Sequence, residues 1–295
     1  MKSAASYIIS VLLSVLLVFA VIGSEALIIA DINITADKLI SVTDKNDVSG
    51  KVLSDLEKHY KEKANITGVP ADVYMTAIDE EYIQECINTE IEADIRALEN
   101  DGTPDADIPE NKKLEENIKE FFNDYAEATG YEIDDDFNEK LDNTIDKAYS
   151  DIASYCDVFK GSALAEHGVL SKLHVLYSHL GKLIIAGLVT VAVLMILLIA
   201  ANRKFKLCAL YWYGISAMIA GILGIVPTTY LIASRYYDSF TIKQPQIFTV
   251  FTQSLYGLTR YMLAVSIAAA VFGAALTVIY AVLPKKNSKN DDDMK

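Results

Sequence analysis

The chain has few of the residues from which catalytic and metal sites are usually built. Its 295 residues include only 3 cysteines, 4 histidines and 1 tryptophan. It contains no Walker A phosphate loop, no G-x-G-x-x-G, no G-x-S-x-G and no kinase signature. No cysteine, serine or histidine pairing suggests a nucleophile with its base. The sequence therefore predicts a protein that is not an enzyme and that uses no cofactor.

Basic residues are also scarce, with 26 Lys+Arg against 40 Asp+Glu and a formal net charge of −14. Nucleic-acid binding needs clustered Lys and Arg, so we expect no nucleic-acid partner. The hydrophobic fraction of 52% is nevertheless high for so acidic a chain. Residues 31–181 contain 35 acidic and 14 basic residues, and the remainder contains 5 and 12. The chain thus divides into an acidic soluble domain and a membrane domain with basic edges.

Long uncharged or nearly uncharged stretches define the membrane domain. A hydrocarbon core about 30 Å thick needs about 20 apolar residues in a helix. Four stretches meet this requirement, namely 7–30, 183–202, 208–234 and 261–283. They predict a first transmembrane helix within 1–30, an acidic domain over 31–181, a membrane domain over 182–284 and a tail over 285–295. The lipid bilayer is accordingly a predicted partner.

The first span has two interpretations. Its apolar run after Lys2, with the small-residue site Ser24-Glu25-Ala26, also resembles a cleaved secretory signal. Apolar residues resume at 27–30, however, and a mature N-terminus would leave them exposed. We favour an uncleaved anchor, and the mass of the mature membrane protein distinguishes the two.

Short basic loops predict the orientation in the membrane. Arg203, Lys204 and Lys206 lie between the second and third spans, and Lys285 and its neighbours follow the fourth. Cytoplasmic loops carry an excess of Lys and Arg. We therefore expect a multi-pass cell-membrane protein with both termini cytoplasmic and residues 31–181 outside.

The acidic domain has the apolar periodicity of packed helices. Its stripes are spaced three and four residues apart, as in Ile83, Ile87, Ile91, Ile95 and Leu98, in Leu114, Ile118, Phe121, Phe122 and Tyr125, and in Phe137, Leu141, Ile145, Ala148 and Ile152. Asp79 is a predicted N-cap and Gly130 a predicted helix end. The predicted fold is all-α, with four transmembrane helices and a helical bundle inserted between the first two. Residues 247–259 are either an interfacial helix or an extension of the fourth span.

Histidines and cysteines are the main metal and redox candidates. A spacing of seven places His167 and His174 on one helix face but about 10 Å apart, and a spacing of five turns His179 away from them. No pair therefore converges as an i, i+4 pair would. We regard them as very weak metal candidates. Cys86 and Cys156 lie on apolar flanks of predicted helices in the outer domain. They form either a disulfide, which an oxidising exterior permits, or two buried thiols.

Two functional hypotheses remain. The first is a membrane-anchored scaffold or recognition module that binds an envelope, extracellular or membrane protein through the acidic domain. The second is a permease-like subunit of a transport complex. The order of one span, a large outer domain and three spans looks like permease subunits of cell-division and macrolide-efflux ABC systems, although no residue motif supports the comparison. Such a subunit would need a separate ATPase.

Overall fold

The computed structural model describes residues 4–100, 102–203 and 207–292, with only the backbone at residue 5 and over 284–292. All regular elements over these residues are helical, which confirms the predicted all-α class. Lys204, Lys206 and residues 293–295 lie outside the described residues. The α-helices are α1 Ala4–Asn33, α2 Ala36–Lys45, α3 Val48–Thr67, α4 Asp72–Met75, α5 Glu80–Glu99, α6 Lys112–Thr129, α7 Asp135–Cys156, α8 Gly161–Glu166, α9 Val169–Ser178, α10 Leu180–Ala201, α11 Leu207–Ala233 and α12 Pro245–Asp292, with a 3₁₀ helix at Tyr236–Ser239.

Four helices are long and apolar enough to cross a membrane, as predicted. The candidate spans are Ser6–Asn33, Leu180–Ala201, Leu207–Ala233 and Pro245–Leu283. The shortest has 22 residues, and at about 1.5 Å per residue it exceeds the thickness of the hydrocarbon core. A helix also satisfies its own backbone hydrogen bonds, as lipid requires. The protein is therefore a multi-span helical membrane protein, with a helical region between its first two spans.

The fourth span begins earlier than its apolar core suggests. The sequence predicts this span over 261–283, whereas α12 runs without interruption from Pro245. Residues 247–259 are thus continuous with the span, which is the second of the two interpretations above.

The chain forms two compact units, each described separately below. The span unit comprises Met1–Asn33, His179–Phe240 and Leu255–Lys295. The helical unit comprises Ile34–Ser178 and Thr241–Ser254. The latter therefore takes its residues from two separate parts of the chain.

In the span unit, α1 packs against α10 and α11. Leu17, Leu194 and Leu198 are buried in this contact with Trp212. Polar side chains also lie inside it, because hydrocarbon offers them no alternative partner. Ser14 and Ser216 share a hydrogen bond of 2.5 Å between their hydroxyls.

Glycines allow close packing of α11 and α12. A Cβ added at Gly221 would lie 2.5 Å from the backbone nitrogen of Ala270 and from the carbonyl oxygen of Ser266. A Cβ at Gly273 would lie 2.4 Å from the backbone nitrogen of Met218. Small residues at both positions let the two backbones touch, as in other transmembrane helix pairs.

In the helical unit, the predicted stripes form one core. Val48, Leu56 and Tyr60 of α3 are almost fully buried, as are residues of α5, α6 and α7. The ring of Tyr60 stacks on Tyr74 at a centroid distance of 4.2 Å. Residues three and four apart lie on one helix face, so each stripe meets the others in the centre.

The helix ends follow the predicted signals. Asp79 accepts a hydrogen bond from the backbone N–H of Tyr82 at 2.8 Å, and Asp134 accepts one from Phe137 at 2.9 Å. Both satisfy amides that the first turn leaves without a helical partner. Helix α6 ends at Gly130, whose φ of 67° suits glycine because it has no Cβ.

The first turns of α12 belong to the helical unit. Val250 is fully buried in its core, and the ring of Phe251 lies 6.1 Å from that of Phe159. The Lys51 Nζ donates to the hydroxyl of Thr249 at 3.1 Å. The part of α12 before the apolar stretch thus completes the core of a domain assembled mainly from residues 34–178.

Candidate functional site

A buried polar cluster lies on one face of α5. Cys86, Glu90 and Asp94 are four residues apart, and this spacing aligns them along the helix. Glu90 is 5% exposed and Asp94 is 7% exposed. Carboxyl groups are rarely buried to this degree unless they are paired or neutral. This cluster is the most unusual chemical feature of the helical unit.

The third carboxyl group comes from the segment between α7 and α8. Asp157 is also buried and accepts hydrogen bonds from the backbone N–H groups of Gly161 at 2.8 Å and Ser162 at 3.2 Å. It therefore caps the start of α8. A Cβ at Gly161 would lie 1.7 Å from the Asp94 Oδ1, so glycine leaves the space that the Asp94 carboxyl occupies. That same oxygen has no hydrogen-bond partner among the described residues.

Burial changes the proton affinity of the two α5 carboxyl groups. Desolvation, with a further contribution from the charge of Asp157, raises the pKa of Glu90 to about 7 and that of Asp94 to about 7. The Lys160 ammonium acts in the opposite direction on Glu90. Near neutral pH, the cluster can hold or release protons.

Cys86 and Cys156 meet beside this cluster. Both are buried free thiols. A hydrogen bond with Cys86, together with burial, raises the pKa of Cys156 well above its usual value. The two side chains that the sequence paired are thus neighbours between α5 and the end of α7. Their oxidation to a disulfide stays a prediction. The raised pKa makes the reduced Cys156 a poor nucleophile, because little thiolate is present.

The three histidine candidates have separate surroundings. The His174 Nδ1 lies 2.8 Å from the carbonyl oxygen of Leu98. His167 ends α8, and His179 lies in the span unit between α9 and α10. Among the described residues no group of three or more His, Cys, Asp or Glu side chains has the arrangement to hold a metal ion. Metal binding by these histidines stays a prediction.

An exposed aromatic groove lies between α6 and α7. It has a volume of about 170 Å³. Its lining residues are Phe122, Tyr125, Tyr131, Phe137, Lys140, Leu141 and Thr144. Tyr125 is 57% exposed and Tyr131 is 50% exposed. The predicted α6 stripe therefore has two roles: Leu114 and Ile118 are fully buried, whereas Tyr125 lines an open surface.

The groove lies in a strongly acidic part of the helical unit. Residues 120–144 include nine acidic side chains and one basic side chain. The basic one, Lys140, pairs with Asp136 at 2.6 Å between Nζ and Oδ2. An apolar floor surrounded by negative charge favours a ligand that is both apolar and positively charged.

Sequence reasoning found the cysteines but missed the two other features. The four-residue step from Cys86 to Glu90 and Asp94 was a usable signal, because it places acids on the flank of the isoleucine stripe. The groove depends on how α6 and α7 pack against each other. The apolar periodicity of the two helices does not predict that packing.

No protein-family model matches the chain, and neither the curated proteins nor the solved structures that were searched include a match.

Proposed function

We propose that this multi-span membrane protein is a membrane-anchored recognition module, and not an enzyme. The helical unit is held outside the cytoplasm, where it binds an envelope, extracellular or membrane protein. The aromatic groove at Tyr125 and Tyr131 carries the proposal, because exposed aromatic rings over a packed core are typical anchors for a partner. The four spans provide the anchorage in the bilayer.

The orientation rests on basic residues near the spans. Arg203 follows α10, and Lys204 and Lys206 continue the same short loop in the sequence. Such residues favour the cytoplasmic side. Both termini are then cytoplasmic, and the helical unit is outside.

Cysteine labelling in intact cells tests the orientation. Lys61→Cys places a thiol on an exposed position of α3, and Arg203→Cys is its matched control after α10. We expect a membrane-impermeant maleimide to label Lys61→Cys only, because the native cysteines are buried. Labelling of Arg203→Cys alone would reverse the proposed orientation.

Photo-crosslinking in native membranes tests recognition. A photoreactive amino acid replaces Tyr125 in the full chain, and the same residue replaces the exposed Lys58 of α3 as a control. We expect a discrete crosslinked product from position 125 that position 58 does not give. Products of the same mass from both positions, or from neither, would count against recognition through this surface.

The alternative function is a permease-like subunit of a transport complex. The order of one span, a helical region and three spans favours it. The subunit would require a separate ATPase bound through residues 203–207 or the termini. Purification of the full chain in mild detergent, followed by mass spectrometry, tests this alternative. Stoichiometric recovery of a nucleotide-binding protein would favour the permease over the recognition module.

A further inference from the structure

We propose that the aromatic groove binds a lysine- or arginine-rich segment of a partner protein, anchored by one large apolar side chain. This inference rests on the proposed recognition function and names the chemistry of the partner. It depends on three observations, which are the size of the groove, its apolar floor and the charge around it.

The size of the groove fits one side chain. Its volume of about 170 Å³ is below the range of about 300–1,000 Å³ typical of small-molecule sites. A protein hot spot, in contrast, often consists of a single aromatic or aliphatic side chain in a well-packed pocket. The groove is therefore suited to an anchor residue and not to a cofactor.

The floor of the groove is apolar and largely pre-formed. Phe137 and Leu141 project from α7 and are mostly buried, so their positions are fixed by the core. The ring of Tyr131 lies 6.1 Å from that of Phe137, and both rings line the groove. A side chain that enters displaces water from these rings without reordering the helices, and this preorganisation lowers the cost of binding.

The surrounding charge selects a basic segment. The net charge of residues 120–144 is −8, from nine acidic residues and one basic residue. Glu139 and Asp142 are exposed and make no ion pair among the described residues. The ammonium of Lys140 is already beside Asp136, and that contact raises its pKa. An incoming lysine or arginine therefore meets a field that this chain leaves largely uncompensated, whereas an acidic segment is repelled.

A peptide titration of the full chain tests the inference. The protein is placed in nanodiscs of zwitterionic lipid, with empty nanodiscs as the background. The probe is a fluorescent heptapeptide of lysines around one central phenylalanine. Two matched peptides replace the phenylalanine by alanine or every lysine by glutamate. We expect the first substitution to weaken binding about tenfold and the second to abolish it.

Matched variants locate the binding surface. Tyr125→Ser with Tyr131→Ser should weaken binding about tenfold, because both rings are exposed and contribute to the groove. Ile66→Ser, at a side chain that is 88% exposed and does not line the groove, should change it less than twofold. Glu139→Gln with Asp142→Asn should weaken binding more than Glu81→Gln with Glu85→Gln, although both pairs remove two charges. This difference should shrink as salt rises from about 50 to 500 mM.

Each contrary result has a distinct meaning. Equal binding of the alanine peptide would overturn the anchor, and equal binding of the glutamate peptide would overturn the charge selection. Absence of binding by the lysine–phenylalanine peptide would overturn the inference as a whole. A crosslinked product at position 125 would still support the proposed recognition function in that case. Loss of both signals would overturn the two together.

Discussion

The two units of this protein expose opposite chemistry. In the span unit, Leu12 and Phe19 are more than half exposed, while Ser10 and Ser216 are fully buried. In the helical unit, the isoleucines of α5 are buried, and most charged side chains are at the surface. One physical rule nevertheless explains both units. The surrounding solvent determines which side chains are exposed. Apolar side chains are stable against lipid, and polar side chains are stable against water.

The largest expected effect comes from reversing this rule in the helical unit. Ile87→Asp puts a carboxylate at a fully buried position of α5. We expect about 4 kcal/mol or more of lost stability, because an unpaired charge in an apolar core has no compensation. Hydrogen exchange of the full chain in nanodiscs should show loss of protection in α5 and α7. Glu81→Gln, on the exposed side of the same helix, should leave the protection unchanged.

Overpacking in the span unit should have the next largest effect. Gly221→Leu forces a side chain against the backbone of α12. Even a Cβ alone at this position would lie too close to that backbone. We expect a loss of about 3 kcal/mol, since a backbone contact cannot relax as a flexible side chain does. The matched control is Gly23→Leu in α1, where nothing lies within 4 Å of an added Cβ. Thermal aggregation in detergent should separate the two variants, and equal behaviour would contradict the close packing of α11 and α12.

The buried acids of α5 are an exception to the contrast between the units, because they place polar groups inside the core of the helical unit. Burial raises the pKa of Glu90 from 4.5 to about 7 and that of Asp94 from 3.8 to about 7. The folded state therefore binds more protons than the unfolded state between about pH 4 and pH 7. Stability should be highest below this window, fall as pH rises through it, and level off above pH 7.

The expected decrease across that window is a few kcal/mol, because a tenfold change in proton affinity corresponds to about 1.4 kcal/mol and solvent screening weakens the contribution of each group. Hydrogen exchange of the α5 amides, corrected for the intrinsic pH dependence of exchange, measures it. Glu90→Gln should flatten the profile, because it removes one of the two titrating groups. Glu92→Gln removes an exposed acid from the same helix and should leave the slope intact. A flat profile in the unaltered protein would show that the two carboxyl groups titrate normally.

Local sequence patterns predicted the parts of the fold that depend on local physics. The Ile83–Leu98 stripe, the Asp79 cap and the end of α6 at Gly130 each depend on residues within a few positions of one another. The four spans followed from length and apolarity alone. These features could be read from the sequence because helix periodicity and capping act over one or two turns.

Features that depend on distant contacts could not be predicted in this way. Val250 is separated by about 90 residues of chain from the rest of the helical core, and nothing near it in sequence indicates that core. The groove at Tyr125 requires the mutual placement of α6 and α7. Asp94 and Gly161 fit together only because α5 meets the start of α8. Packing of this kind depends on how the surfaces of separate elements fit together, which local sequence patterns do not report.

The smallest expected effect compares one hydrogen bond in each unit. Ser14→Ala removes the 2.5 Å contact with the hydroxyl of Ser216 inside the span unit, and Asp134→Ala removes the cap that accepts from Phe137 in the helical unit. We expect a loss of about 0.6 kcal/mol for Ser14→Ala, because an unfolded chain in the membrane also finds polar partners. Asp134→Ala should cost about 1 kcal/mol, because the first amides of α7 lose their acceptor. Local hydrogen exchange of α1 and α7 in the full chain measures both. A cost for Ser14→Ala well above that for Asp134→Ala would contradict this expectation. It would mean that a hydroxyl contact buried in the span unit stabilises the fold more than a helix cap in the helical unit does.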